Sequence, residues 1–219
     1  MSPDAIVSIL QSYLCFVIAI AVHEAAHAWA AWKCGDDTSR LMGRITLNPI
    51  MHMELVGTVV LPLLGHFLSA IGSSAAGWVI GWGKPVPVNP SNFPPGKRYL
   101  YGMYVALAGP ASNILLALIG MIAMRIAIFV GSEELRHLIM VFIFVNLGLC
   151  FFNLLPIPPL DGSYVLRYVF NISDEAYRSM AQFGFIAVLF IVKIPAVQTA
   201  LSYAMISTFK FLRLIVGLG

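Results

Sequence analysis

The stretch Ala19–Trp32, which reads AIAVHEAAHAWAAW, sets a His-Glu-x-x-His motif into apolar sequence. On a helix, His23 and His27 lie four residues apart on one face, one turn above the other, and can bind one metal ion. Glu24 follows the first histidine and points close to the open coordination position of that metal, where a general base for an activated water belongs. The motif therefore predicts a metal-dependent hydrolase.

The sequence around the motif indicates that this site lies in a membrane. Residues 5–22 contain no charged side chain. A helix over Ala5–Trp32 would be roughly 42 Å long, which exceeds the roughly 30 Å of a hydrocarbon core. Trp29 and Trp32 mark the far interface, as tryptophans commonly do in membrane helices. Counting back along the helix places the two histidines roughly 7 Å and 13 Å below that surface.

The composition of the 219 residues predicts a single integral membrane domain over 1–219. Charged residues make up 11% and apolar residues 59%, whereas soluble domains have roughly 25% and 45–50%. The net charge of +3 is small, and the basic residues do not form a stripe with interleaved aromatics, so no nucleic-acid partner is indicated. Three widely spaced cysteines argue against a disulfide framework and against a thiolate zinc site.

Further apolar runs predict an all-α bundle of about five or six transmembrane helices. Besides the metal-binding helix 5–32, the predicted spans are about 99–130, 135–155, 180–194 and 196–212, the last two forming a hairpin around Pro195. Residues 54–83 are short for two full helices and rich in glycine and proline, so we predict a re-entrant or partly extended segment, with two crossings as the open alternative. Residues 84–90, KPVPVNP, must be extended, because alternating prolines exclude a helix and a central strand.

The basic residues predict the orientation of the chain. If the N-terminus is outside, ten of them fall inside and three outside, which agrees with the positive-inside rule. The inner group is Lys33, Arg40, Arg44, Lys84, Lys97, Arg98, Arg167, Arg178, Lys210 and Arg213, and the outer group is Arg125, Arg136 and Lys193. This orientation places the C-terminus and the metal motif at the cytoplasmic face.

A catalytic zinc ion needs a third protein ligand and an open position for water. Asp161 follows the proline-rich run that ends the 135–155 span, and an acid at that depth is costly unless it binds something. Gly162 permits a backbone turn that aims the carboxylate inward. Because the first and third long spans run in the same direction, we expect His27 and Asp161 to lie at similar depth.

Several further motifs accompany His-Glu-x-x-His. They are Gly109-Pro110-Ala111-Ser112-Asn113, the run Asn153–Gly162 (Asn-x-x-Pro-x-Pro-x-Leu-Asp-Gly), the run Gly43–Pro49 with His52, and the run Gly81–Pro90. Through these motifs, nearly the whole chain resembles the site-2 protease family of intramembrane zinc metalloproteases, in its small bacterial branch without a PDZ domain. It departs from that branch at Glu54, where an aspartate followed by proline is frequent, which leaves the role of that acid open.

The resemblance implies one catalytic Zn²⁺ held by His23, His27 and Asp161, with Glu24 as the general base. It implies that Asn113 is a polar contact that binds substrate or an oxyanion. The expected reaction is hydrolysis of a peptide bond within or near the transmembrane segment of a membrane protein substrate. The expected location is a bacterial cytoplasmic membrane, and the oligomeric state stays open.

Other interpretations remain beside this one. A metal transporter or sensor would need ligand groups along a path through the membrane, whereas only one cluster is visible, and the intact Glu24 argues against an inactive scaffold. The isolated His52 and His66 are more typical of packing residues than of ligands. The extended stretch around Val86 and Val88 could pair with an unwound substrate by strand addition, which we state as a hypothesis.

Overall fold

The structure, a computed structural model, describes residues 3–70, 72 and 81–218 of the chain. The α-helices in that part are α1 (Pro3–Lys33), α2 (Thr38–Leu41), α3 (Leu61–Ala70), α4 (Arg98–Val130), α5 (Glu133–Asn153), α6 (Gly162–Val169), α7 (Asp174–Ile191) and α8 (Pro195–Ile215). A π-helix, Leu55–Val60, runs directly into α3, and single 3₁₀ turns cover Pro49–Met51 and Pro90–Asn92. The described residues contain no β-strand, which confirms the predicted all-α class.

Three of the described helices, α1, α4 and α5, are long and apolar enough to cross a membrane. α4 packs along both α1 and α5. The pair of α7 and α8 meets the same criteria together, but it is bent by 83° at the break between the helices. A polytopic helical membrane bundle is therefore confirmed. The described residues contain three helices that are long and apolar enough to span, or four spans when the bent pair counts as one, against about five or six predicted for the whole chain.

Local sequence determines how α4 and α5 are joined. Gly131 directly follows α4 in a left-handed conformation, with φ of 77°, and glycine commonly ends a helix in this way because it has no Cβ. The side chain of Ser132 accepts a hydrogen bond from the backbone N–H of Leu135 at 3.2 Å and starts α5. These two residues make a tight connection that holds α4 and α5 antiparallel.

The apolar core lies between α4, α5 and α8. Its buried members are Ala117, Met121, Met124, Ala127, Ile139, Ile143, Leu147 and Leu212. A Cβ atom on Gly120 would lie 2.8 Å from Cγ1 of Ile143. Glycine at this position therefore lets α4 and α5 approach closely, as small residues do between membrane helices.

The direction of α8 corrects the predicted terminal hairpin. Phe209 stacks on Phe144 of α5 with ring centroids 5.2 Å apart, and Arg125 near the end of α4 donates a hydrogen bond to the carbonyl of Val216 at 2.8 Å. The end of α8 therefore lies beside the α4–α5 connection, at the end of the bundle opposite the start of α4. The break before Pro195 redirects the chain by 83° without reversing it, because α8 packs its apolar face on the core.

This arrangement also corrects the predicted location of the C-terminal region. In the predicted orientation the α4–α5 connection is outside, so the end of α8 is outside too, and not at the cytoplasmic face. Lys210 and Arg213 of α8 then leave the inner group of basic residues and join Arg125 and Arg136 at the outer end. Eight basic residues remain at the inner end, so the charge bias keeps its direction, and the orientation itself stays a prediction.

The segment predicted as re-entrant, 54–83, is described on its outgoing side as the π-helix and α3. Its returning side is described from Gly81, where the N–H of Trp82 donates to the carbonyl of Gly57 at 3.0 Å. The chain therefore returns to the level at which it left. Residues 71 and 73–80 lie outside the described part, so the choice between a re-entrant segment and two crossings stays a prediction.

Candidate metal centre

Three side chains predicted as ligands converge on one point. Nε2 of His23 and Nε2 of His27 are 3.0 Å apart, and Oδ2 of Asp161 lies 3.2 Å from the first and 3.4 Å from the second. The histidines come from consecutive turns of α1, while the aspartate comes from the turn just before α6. The structure thus brings together residues that are more than 130 positions apart in the chain.

The other ring nitrogen of each histidine has an acceptor, which determines what the converging atoms can do. Nδ1 of His27 lies 2.8 Å from the carbonyl oxygen of Val105, and a carbonyl can only accept, so the proton is on Nδ1. Nδ1 of His23 lies 2.6 Å from Oδ1 of Asn113. In the neutral rings, both Nε2 atoms therefore present lone pairs toward the carboxylate of Asp161.

This donor set fits a metal ion. Two nitrogen lone pairs and a carboxylate oxygen repel one another at such distances unless a cation lies between them, and Oδ2 of Asp161 is buried without a hydrogen-bond partner. Two histidines and one carboxylate are a common ligand set of catalytic zinc. The second-shell contacts of the rings, to a backbone carbonyl and to an amide oxygen, are also those that zinc-binding histidines use.

Gly109 creates the space in which the two imidazoles meet α4. A Cβ atom there would lie 2.5 Å from Nε2 of His27 and 2.6 Å from Cε1 of His23, distances too short for non-bonded atoms. Pro110 follows and removes the N–H that would otherwise bond to the carbonyl one turn earlier. Sequence reasoning quoted this Gly-Pro pair as part of a motif but assigned it no role.

Gly162 acts for a different reason than the predicted one. Its backbone is not in the left-handed region, since only other glycines and Asn171 have positive φ among the described residues. A Cβ atom on Gly162 would lie 2.2 Å from the carbonyl oxygen of Leu154. Glycine is therefore required because the start of α6 is pressed against the end of α5, and this contact places Asp161 at the site.

A cluster on α6 and α7 holds the turn that carries Asp161. Arg167 of α6 forms an ion pair with Asp174 at the start of α7. Its guanidinium lies over the rings of Tyr99 and Tyr177, 4.9 Å and 4.8 Å from their centroids. These contacts tie the last turn of α6 to the first turns of α4 and α7 around one cation.

A cavity of about 690 Å³, which is within the usual range of ligand sites, lies beside the three candidate ligands. Glu24, His27 and Asp161 line it, whereas His23 does not. The wall also includes residues of α4, α5, α6 and α7, of the stretch 81–90, and Pro159 and Leu160. Gly83 passes close to the carboxylate of Glu24, because a Cβ atom there would lie 3.3 Å from Oε1.

Residues 81–89 form an extended segment without helix or turn, as the prolines predicted for 84–90 except at Pro90, which begins a 3₁₀ turn. One edge of this segment is held by residues between α1 and α3. The backbone groups of this edge bond to Asp36, Ser39, Arg44, His52, Gly57 and Thr58. Along the other edge, the backbone groups of Gly83, Val86 and Val88 have no hydrogen-bond partner within the described residues, and all three residues line the cavity. The segment therefore presents an unpaired strand edge to the metal centre.

Asp36 anchors the far end of this extended segment. Its buried carboxylate accepts hydrogen bonds from the backbone N–H of Asn89 and the side-chain amide of Asn92, both at 2.7 Å, and from Thr38. Burial by itself would raise the pKa of Asp36, but these hydrogen bonds outweigh it and hold the pKa below the ordinary value of an aspartate. The ionised carboxylate therefore stabilises the joint between 34–42 and 87–92.

The structure places the remaining predicted residues differently. Asn113 is completely buried, contacts His23 and does not line the cavity, so its contact with a substrate or an oxyanion stays a prediction. An amide that does line the cavity is Asn153, which donates to the carbonyl of Leu149 at 2.9 Å. It is the first residue of the motif that ends in Asp161 and Gly162, which is the signal that could have identified it.

Of the two isolated histidines, His52 does not belong to the ligand set. His52 is completely buried, and its Nε2 lies 2.8 Å from the carbonyl oxygen of Thr46. It therefore shapes the loop that holds the extended segment, as expected for a packing residue. The side chain of His66 lies outside the described part of the structure.

Comparisons with known proteins agree with the motifs. The profile of peptidase family M50 matches residues 120–192. The chain is 35% identical over 187 residues to "Putative zinc metalloprotease YwhC" of Bacillus subtilis (strain 168), covering 82% of this chain and 78% of that protein. It is 28% identical over 195 residues to "Putative zinc metalloprotease Rip2" of Mycolicibacterium smegmatis, covering 84% of this chain and 66% of that protein.

A shorter match reaches an archaeal protein. The chain is 41% identical over 83 residues to "Putative zinc metalloprotease MJ0611" of Methanocaldococcus jannaschii, which covers 34% of this chain and 42% of that protein. No solved structure matches the chain significantly. Since the similarity to the Bacillus protein extends over most of both sequences, the chain belongs to peptidase family M50, the site-2 protease family.

Proposed function

We propose that this chain is a zinc-dependent intramembrane endopeptidase that hydrolyses a peptide bond within or near the transmembrane segment of a membrane protein. The observation that carries the proposal is the convergence of His23, His27 and Asp161 beside Glu24, at the wall of a cavity inside a helical membrane bundle. The names of the relatives, all zinc metalloproteases, support the same class of enzyme.

Each residue has a defined task in this proposal. His23, His27 and Asp161 would hold one zinc ion, which when bound lowers the pKa of a water and polarises a carbonyl group. The side chain of Glu24 makes no hydrogen bond to any described residue, and Glu24 lines the cavity, so its carboxylate is free to take the proton of the attacking water. It then delivers that proton to the leaving nitrogen as the peptide bond breaks.

The cavity wall suggests how a substrate is held. A transmembrane helix bonds its own backbone carbonyls, so the stretch around the cleaved bond must first unwind. The unpaired edge at Gly83, Val86 and Val88 offers backbone donors and acceptors to such an unwound stretch, which supports strand addition. Asn153 offers a side-chain amide on the same cavity.

A metal transporter is the less favoured function. Transport needs successive ligand sites along a path across the membrane, whereas the described residues contain one group of three potential ligands. Glu24 is not one of these three potential ligands, and it lies beside them on the cavity wall. A transporter has no need for an unbonded carboxylate in that place.

The substitution Glu24→Gln tests the proposal. We expect the variant to bind zinc like the parent and to lose about 10²- to 10⁴-fold in cleavage rate, the usual contribution of a general base. The measurement is quantitative proteomics of membranes from cells that express the parent or the variant, in which uncleaved substrates accumulate with the variant.

Glu54→Gln is the matched control, because Glu54 accepts a hydrogen bond from the backbone N–H of Gly57 at 2.6 Å and does not line the cavity. Cells with the control should have the membrane peptides of the parent. If cells with Glu24→Gln release the same fragments as the parent, Glu24 is not the base and the proposed mechanism is wrong.

A further inference from the structure

We propose that Asn146 on α5 is a positioning residue of the metal centre, which acts through Asn113 to hold His23 in the tautomer that can bind a metal. The inference rests on the proposed function, because it concerns the ligand set assigned there. Asn146 lies outside the motifs quoted in the sequence analysis, and it neither lines the cavity nor bonds to a candidate ligand.

Three hydrogen bonds connect His23 to the backbone of α5. Nδ1 of His23 lies 2.6 Å from Oδ1 of Asn113, and Nδ2 of Asn113 donates to Oδ1 of Asn146 at 3.0 Å. Nδ2 of Asn146 then donates to the carbonyl oxygen of Phe142 at 2.9 Å. His23 is 3% exposed and both asparagines are 0% exposed, so water does not compete for these groups.

The carbonyl of Phe142 determines which group donates in each of the three hydrogen bonds. The carbonyl of Phe142 can only accept, so Asn146 must direct its NH₂ group toward it and its oxygen toward Asn113. Because Oδ1 of Asn146 can only accept, Asn113 must direct its NH₂ group toward it. The side-chain oxygen of Asn113 then faces His23. His23 must therefore donate from Nδ1, which leaves the lone pair of Nε2 for the metal.

The two histidines differ in how this orientation is secured. The acceptor of His27 is the backbone carbonyl of Val105, which is fixed by helix α4 and cannot rotate. The acceptor of His23 is a side-chain amide, which can rotate by 180° and then present NH₂ to the ring. In that state the proton of His23 would move to Nε2 and block metal binding, so Asn113 needs an acceptor that prevents rotation. Its Nδ2 lies 3.0 Å from Oδ1 of Asn146 and 3.5 Å from the carbonyl oxygen of Ala19, so Asn146 is the closer of the two acceptors.

An asparagine pair between α4 and α5 could also act only by joining the helices. The two roles differ in how substitutions combine. If Asn146 acts through Asn113, its loss has no further effect on zinc affinity once Asn113 is gone, because coupled residues are not additive. If both merely stabilise the helix pair, their effects on zinc affinity multiply.

The experiment measures the zinc affinity of the purified full-length protein in lipid nanodiscs, by competition with a chromophoric chelator. We expect Asn113→Leu to weaken binding about 10- to 100-fold, the usual effect of losing an outer-shell partner, and Asn146→Leu to weaken it about 10-fold. The double variant should match Asn113→Leu within about twofold.

Two further variants separate positioning from loss of folding. Asn146→Ser can still donate to a carbonyl one turn earlier in the helix and accept from Asn113, so we expect its affinity to recover toward that of the parent. Ile143→Val removes one methyl group from a completely buried side chain one turn away on α5 and leaves the hydrogen bonds intact. This control should bind zinc like the parent.

The outcomes are distinct. The inference is overturned if Asn146→Leu binds zinc as tightly as a zinc-binding parent, if the effects of the two leucine substitutions multiply, or if Asn146→Ser is as weak as Asn146→Leu. A parent that binds no zinc overturns the proposed function, and this inference with it. The inference is supported if Asn146→Leu weakens zinc binding, if the double variant matches Asn113→Leu, and if Asn146→Ser recovers affinity.

Discussion

Gly109→Ala tests the idea that α4 sets the geometry of the metal centre without supplying a ligand. The added methyl carbon would lie 2.5 Å from Nε2 of His27 and 2.6 Å from Cε1 of His23, whereas such atoms normally stay about 3.5 Å apart. The rings or the helix must therefore separate by about 1 Å. Zinc sites tolerate only about 0.2 Å in ligand distance, so we expect at least about a 100-fold loss of zinc affinity and a comparable loss of cleavage.

The assay is chelator competition on the purified protein, together with its thermal unfolding temperature. Gly102→Ala is the matched control on the same helix, because its methyl carbon would lie 3.7 Å from Cδ1 of Tyr164, an ordinary contact. Alanine is favoured over glycine inside a helix by about 1 kcal/mol, so this control should be at least as stable as the parent and bind zinc equally well. If Gly109→Ala also binds zinc like the parent, α4 does not constrain the histidines as described.

Two further predictions concern the parts that hold the site. The pKa of Asp36 is lowered in the folded protein, so its ionised form stabilises the fold above the unfolded pKa of about 3.9, and this contribution is lost as the pH falls through the folded pKa. The parent should therefore unfold at a higher temperature than Asp36→Asn at pH 6 to 7, and this difference should shrink below about pH 4; a difference that is constant with pH would contradict the assignment. Arg167→Lys should lower stability by about 1–2 kcal/mol, because an ammonium cannot pair with Asp174 and also lie over both tyrosine rings. Thermal unfolding measures the loss, the exposed Arg40→Lys should show no measurable change, and a stable Arg167→Lys would show that the ring contacts contribute nothing.

The sequence was sufficient to predict those parts of the site that depend on local helix geometry and on depth in the membrane. His23 and His27 share a helix face because of their spacing alone, and the run of prolines before Asp161 showed where the helix carrying it ends. The topology implied by the charges then put both at one face of the membrane. None of these arguments required knowledge of how neighbouring helices are rotated against each other.

The features that the sequence did not predict depend on that rotation. Asn113 could be assigned to the family motif, but whether its side chain faced the cavity or a histidine depended on the angle of α4 about its own axis. Asn146 was indistinguishable from any asparagine that joins two membrane helices. The direction of α8 after Pro195 was equally undetermined, because a proline marks a break in a helix, while packing on the core decides where the chain goes next.

Helices α1 and α4 contribute to the site in different ways. This difference explains why the Gly109–Asn113 motif, which contains no ligand, accompanies the two motifs that contain the ligands. α1 supplies both histidines and Glu24, but α4 fixes the ring of His27 through Val105 and leaves room for both rings at Gly109. Separating α1 from α4 would therefore disrupt the ligand geometry itself. In the proposed function, a substrate would reach Glu24 from the cavity, whose wall includes residues of α7 and of the extended segment 81–89.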